Sequence, residues 1–174
     1  MNILMPRLQG CRWLDLCSGS GVMGCEAIQR GAAEVVAVEK DRRTALIAEK
    51  NLQATALSTR PVARVAVVSR SIQSWLDSSD ASAAFDLIYF DPPYEAGLYQ
   101  PVLEKLSQTS LLTAEGLLIC EHDSTVPPEF DERSWMVHDR RSYGRTGLLF
   151  LKISRPERCH GGTDSTQPRT IPEA

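Results

Sequence analysis

Long apolar runs are missing from this chain. No stretch approaches the roughly 20 consecutive apolar residues of a membrane-spanning helix, and none reads as a secretory signal. A basic excess is missing too. Lys and Arg number 19 against 22 Asp and Glu, a formal charge of −3, so any nucleic-acid contact must come from local patches. The five cysteines are odd in number and contain no C-x-x-C pair. That disfavours both a disulfide framework and a zinc site, so no metal is expected and the thiols are read as the reduced thiols of a cytoplasmic protein. Histidines number three. His122 follows a strand, where a lone histidine is more often structural than catalytic. Aromatic residues make up 6% of the chain, and Trp13, Trp75 and Trp135 read as core.

What is present is alternation. Arg12–Cys17, Glu34–Glu39, Ala63–Ser69, Phe85–Phe90 and Gly116–Glu121 are short apolar runs that read as buried strands. Between them lie helical patterns: one up to about Arg30, one over 41–56 with Ala45, Leu46, Ala48 and Leu52 on its inner face, and short ones at 72–76 and 101–106. Ser134–Tyr143 and Gly147–Ile153 read as a final antiparallel pair. This order predicts an α/β fold, a mostly parallel doubly wound sheet with helices on both faces. With 174 residues, 43% of them hydrophobic, one core and one domain are expected, over 1–154. From Arg155 the composition turns to Gly, Thr, Pro and Ser, so 155–174 is expected to be a disordered tail.

Two loops carry the chemistry. The fourth strand ends in Asp91-Pro92-Pro93-Tyr94. Each proline fixes its own φ and holds the residue before it extended. The segment is therefore a rigid shelf with one carboxylate, one carbonyl and one ring at a strand's C-terminal edge, where open α/β sheets bind ligands. It suits a planar base with an exocyclic amine: the ring stacks and two oxygens accept the two N–H bonds. The second loop is Leu14-Asp-Leu-Cys-Ser-Gly-Ser-Gly21, in which Gly19, Gly21 and Gly24 satisfy G-x-G-x-x-G. A pyrophosphate on a helix N-terminus is one reading of that motif. The other is a cationic ligand, because Asp15 beside the loop would repel pyrophosphate and attract a sulfonium or ammonium. Glu39, ending the second strand, can accept from ribose hydroxyls in either case.

These motifs resemble those of class I S-adenosylmethionine-dependent methyltransferases with a D-P-P-Y element. More narrowly, the chain is similar to the RsmD-type bacterial enzymes, which methylate N2 of a guanine in small-subunit (16S) ribosomal RNA. The resemblance runs from about Leu8 to Ile153, through Leu14 to Gly31, Val38-Glu-Lys-Asp41, Lys50-Asn51-Leu52, Phe90 to Tyr94, and Tyr143-Gly144. It implies a Rossmann-like seven-stranded sheet in the order 3-2-1-4-5-7-6, with strand seven antiparallel. It implies that Asp15, Cys17, Ser18, Gly19 and Gly21 line the methionine end of S-adenosylmethionine, that Glu39 and Lys40 flank its ribose, and that Ser71 and Ile72 sit beside its adenine. The chain departs from the family at Ser71, where Asp or Asn is usual. Catalysis would rest on Asp91, Pro92, Pro93 and Tyr94. Arg140, Arg141, Tyr143 and Arg145, near the turn between the last strands, would grip RNA phosphates or stack on bases, or else form a plain solvated hairpin. The implied partner is ribosomal RNA or the small subunit particle, with no membrane and a monomer by default.

The first strand starts only about a dozen residues in, and Met1 to Leu8 reads as the end of a helix, so a longer N-terminal segment usual in these enzymes is expected to be missing. Two alternatives stay open: an adenine-N6 methyltransferase acting on RNA or DNA, and an inactive, truncated donor-binding module.

Overall fold

β-Branched and aromatic runs become strands here because neighbouring strands and covering helices bury them on both faces. The computed structural model describes residues 4–78 and 83–154; the expected tail at 155–174 lies outside the described residues. In order along the chain come α1 (Met5–Leu8), β1 (Arg12–Leu16), α2 (Val22–Gln29), β2 (Glu34–Glu39), α3 (Arg42–Leu57), β3 (Arg64–Ser69), α4 (Ile72–Leu76), β4 (Phe85–Phe90), α5 (Tyr99–Ser107), β5 (Leu112–Asp123), β6 (Trp135–Tyr143) and β7 (Thr146–Ile153). The seven strands form one sheet in the order β3-β2-β1-β4-β5-β7-β6. The pairs from β3 through β5 are parallel, and β7 runs against both neighbours, β5 and β6. This is the Rossmann-like order that the family resemblance implies.

Alternation along the strands sends side chains to two cores. Leu14, Leu16, Ile88, Phe90, Leu118 and Cys120 pack on one face with Trp75, Val102, Leu106 and Trp135. Trp13, Val35, Leu87, Tyr89 and Ile119 pack on the other with Ala27, Ile28 and Leu52. All three tryptophans are buried. Trp135 keeps its indole N–H satisfied by donating to the Leu103 carbonyl at 3.1 Å. A tryptophan buried in this way holds about 3–5 kcal/mol against truncation to alanine.

α3 starts where Asp41 accepts from the Thr44 N–H at 2.8 Å, an N-cap bond. Ala45, Ala48, Leu52 and Ala56 form its buried stripe, and Leu46 is exposed, contrary to the sequence reading. One residue further along a helix is about 100° further round its axis, and the sheet admits only the stripe through Ala45. α2 lies close to α3 because Gly21 and Gly24 carry no side chain: a Cβ on Gly24 would stand 2.8 Å from Leu52 Cδ2 and 3.0 Å from Val35 Cγ1. β5 is longer at both ends than its apolar run suggests, since pairing with β7 extends it to Asp123. Among the described residues no helix is long and apolar enough to cross a membrane.

Candidate active site

Leu16 stands level with Val38 on one side and Phe90 on the other, so β1, β2 and β4 end together. The glycine loop, Glu39 and the proline shelf therefore converge at one sheet edge, across the point where chain connections diverge to either side. They enclose a cavity of about 590 Å³. Cys17, Gly19, Glu39, Lys40, Ser71, Ile72, Asp91, Pro92, Pro93 and Tyr94 all line it. Val38, Gln73, Ala96 and Leu98 join them without having been assigned to the site from the sequence. Their signal was adjacency alone, each being one to four residues from a motif position.

The glycine loop turns sharply. Cys17, Gly19 and Gly21 all have positive φ (63°, 54° and 80°), and for cysteine that is a strained conformation. Backbone bonds hold the strain: the Ser18 N–H donates to the Val38 carbonyl at 3.1 Å and the Gly21 N–H to the Ser18 carbonyl at 2.8 Å. Glu39 adds a side-chain brace. One of its oxygens accepts from the Gly19 N–H at 3.0 Å and the other from the Asp41 N–H at 2.9 Å. Each oxygen keeps a further lone pair for a ligand.

Three residues assigned to the donor do not line the cavity. Asp15 is buried beneath the loop, because its place in β1 turns its side chain inward, toward the Gly24 backbone. Burial pushes its carboxyl up to about 8, opposed by a bond from the Gly24 N–H and assisted by the charges of Asp91 and Glu39. Gly21 serves close packing: a Cβ there would lie 3.2 Å from Leu52 Cγ and 3.3 Å from the Ala48 backbone. Ser18 belongs to the loop but buries its hydroxyl, and that hydroxyl and one Asp15 oxygen have no hydrogen-bond partner among the described residues. Two orphaned polar atoms below a cavity that carries Glu39 and Asp91 fit a polar, cationic ligand better than a polyphosphate.

At the adenine position, Ser71 caps α4. Its hydroxyl oxygen accepts from the Ser74 N–H at 3.2 Å and keeps a hydrogen to donate. On the shelf, Pro92 is buried while Asp91, Pro93 and Tyr94 face out. Tyr94 opens a 3-10 turn to Ala96, whose N–H takes the Pro93 carbonyl at 2.9 Å rather than that of Pro92. Partial desolvation in the cavity wall, then the nearby charge of Glu121, pushes the Asp91 carboxyl up to about 6 although part of the side chain meets solvent. Burial, then Glu121, also raises the Tyr94 phenol.

Arg140, Arg141, Tyr143 and Arg145 do not reach this cavity. They sit on the β6–β7 hairpin, where Gly144 at φ 62° makes the turn. Arg141 pairs with Asp139 at 2.9 Å, and Arg145, almost fully exposed, reaches Asp123 only at 3.7 Å. His122 is buried on β5, its Nδ1 2.7 Å from the Asp123 carbonyl and its ring pressed on Gly147, so it takes no part in the site. Among the described residues no group of three or more His, Cys, Asp or Glu could hold a metal ion.

With this geometry in place, similarity to known proteins becomes informative. Residues 1–152 match the protein family described as "Conserved hypothetical protein 95". The chain is 26% identical over 151 residues to "Putative rRNA methyltransferase YlbH" of Bacillus subtilis, covering 87% of this chain and 80% of that protein. It is 29% identical over 152 residues to "Ribosomal RNA small subunit methyltransferase D" of Haemophilus influenzae, covering 87% and 75%. Among solved structures, "Putative methyltransferase yhhF from Escherichia coli" superposes with a TM-score of 0.77 at 26% identity, over 89% of this chain and 84% of that one. The chain belongs to the Conserved hypothetical protein 95 family, that of the RsmD-type methyltransferases.

Proposed function

We propose that this chain is an S-adenosylmethionine-dependent methyltransferase that modifies the exocyclic N2 amine of a guanine in small-subunit ribosomal RNA. The observation that carries the reading is one cavity shared by the glycine loop, Glu39 and the Asp91–Tyr94 shelf. Family membership and relatives named as ribosomal RNA methyltransferases support it. The domain spans 1–154, and the protein acts as a cytoplasmic monomer on ribosomal RNA or the small subunit particle.

The residues present fit the donor. Gly19, Cys17 and Lys40 would border it, Glu39 would accept from its ribose hydroxyls, and Ser71 and Ile72 would flank its adenine, all from the wall of the cavity. Asp15 would act from below, through the loop, by its bond from the Gly24 N–H. When bound, S-adenosylmethionine supplies a methyl group on a positively charged sulfur, in need of a nucleophile.

An exocyclic amine on a purine is a poor nucleophile because its lone pair is delocalised into the ring. Asp91 and the Pro92 carbonyl accept its two N–H bonds, which favours a pyramidal nitrogen and meets the charge that develops there. Tyr94 stacks on the base and aims the nitrogen. The carboxylate of Asp91, shifted toward neutrality by burial, is suited to take the proton the nitrogen must shed. The target lies within a stack or pair in RNA, so the nucleotide flips out to reach the shelf. Arg140, Arg141, Tyr143 and Arg145 hold RNA phosphates or bases at the hairpin.

The test uses labelled donor, small-subunit RNA and subunit particles, followed by digestion to nucleosides. Wild type yields N2-methylguanosine. Asp91→Ala keeps donor binding within a few-fold by calorimetry and loses transfer. A variant with near-wild-type turnover would refute the role of Asp91, and N6-methyladenosine as the product would replace guanine by adenine.

A further inference from the structure

Glu121 stands beside the shelf with no role in the chemistry above. β4 and β5 are parallel, with Phe90 level with Cys120. Asp91, just past the end of β4, therefore stands beside Glu121, still within β5, one strand spacing of about 5 Å away. Alternation puts both on the face of Tyr89 and Ile119. The charge of Glu121 is felt at both Asp91 and the Tyr94 phenol, which also faces Thr146.

Two carboxylates in this position repel each other, yet no ion pair among the described residues includes Glu121. Instead Glu121 is held in place. The Tyr89 hydroxyl donates to one of its carboxylate oxygens, and Tyr89 stacks on Trp13 at 5.8 Å. The Tyr99 hydroxyl donates to the Glu121 backbone carbonyl at 2.7 Å. The second carboxylate oxygen has no partner among these bonds. A second cavity of about 550 Å³ opens on this side, with Glu121, Tyr89, Tyr143 and Thr146 in its wall. A carboxylate oxygen fixed in this way at the rim of a cavity is free to accept a hydrogen bond from a ligand.

We propose that Glu121 selects guanine, its unengaged oxygen accepting the base's N1–H while Asp91 and the Pro92 carbonyl accept the two N2–H bonds. This rests on the amine-methylation reading of the shelf and specifies its substrate. Guanine presents three N–H donors along this edge, and Asp91, the Pro92 carbonyl and Glu121 supply an acceptor for each, the first two from the wall of the shelf's cavity and Glu121 from that of its neighbour. Adenine offers two N–H bonds and a bare N1, whose lone pair would face a carboxylate. A site built to satisfy an N–H rejects an analogue without it, because its own polar group is left buried and unpaired. Glu121 is thus a specificity-determining residue, distinct from the groups that touch the reacting nitrogen.

The experiment compares RNA carrying guanine with RNA carrying 2-aminopurine at the methylated position. 2-Aminopurine keeps the 2-amino group and lacks the N1 hydrogen. Wild type is expected to prefer guanine in kcat/KM by roughly 10- to 100-fold, the effect of one hydrogen bond to a charged acceptor left unmade. Glu121→Gln, whose amide can accept from N1–H or donate to a bare N1, brings that preference to within about threefold. Each ratio is taken within one protein preparation, so a smaller folded fraction cancels. Equal ratios in wild type and Glu121→Gln, or no preference in wild type, would overturn the assignment of Glu121. Failure of wild type to form N2-methylguanosine would instead overturn the proposed function itself.

Discussion

Acidification is the most direct probe of Asp91. Its carboxyl stands at about 6 in the folded protein, raised by burial and then by Glu121, against an ordinary value of 3.8. The proposed chemistry needs the carboxylate, which accepts an N–H bond and then a proton, so the rate follows the ionised fraction. With a midpoint of 6, about nine tenths is ionised at pH 7 and about one tenth at pH 5. Transfer at pH 5 is therefore expected to be about tenfold slower than at pH 7, with unit slope below the midpoint. A carboxylate at 3.8 would lose less than a tenth of its rate over the same range. The assay is kcat/KM for RNA with labelled donor between pH 4.5 and 8, since that quantity reports the free enzyme. Removing the neighbouring charge in Glu121→Gln moves the midpoint down, and Asp91→Asn leaves only a slow, pH-independent residue of activity. A wild-type profile level down to pH 5, or a Glu121→Gln midpoint above that of wild type, would refute the reasoning.

Two further expectations concern packing and RNA. Gly24→Ala places a methyl 2.8 Å from Leu52 Cδ2 and 3.0 Å from Val35 Cγ1, forcing α2 off the sheet. Overpacking of this kind costs about 1–3 kcal/mol, so urea unfolding should show a lower midpoint; equal or greater stability would mean that the helix accommodates the methyl. Arg145 is almost fully exposed and only loosely paired with Asp123 at 3.7 Å. If it grips a phosphate, Arg145→Ala weakens RNA binding and reduces the slope of log affinity against log salt by about 1. An unchanged slope would leave the hairpin as solvated surface.

Much of the fold was legible because its signals are local. Phe85–Phe90 and Glu34–Glu39 are strands as their apolar runs demand, and α4 spans Ile72–Leu76 as read, capped by Ser71. The prolines after Asp91 make the shelf stiff whatever surrounds it. The errors came where local pattern leaves a choice open. Leu46 and Ala45 look alike as inward-facing helix positions, and only the sheet beneath α3 selects Ala45. Asp15 reads as a ligand-facing acid at a strand end, and its register in β1 buries it under the loop instead.

Taken alone, the chain of residues determined the alternation of strands and helices, the tight glycine turn and the rigid Asp91–Tyr94 segment. Periodicity, left-handed backbone and fixed φ angles act over a few residues and need no partner. Only the tertiary structure decided that β5 lies beside β4, that Glu121 stands next to Asp91 30 positions earlier in the chain, and that Tyr89 holds it there. Strand neighbours are chosen by the burial of both sheet faces together, a non-local balance that no short stretch of sequence contains.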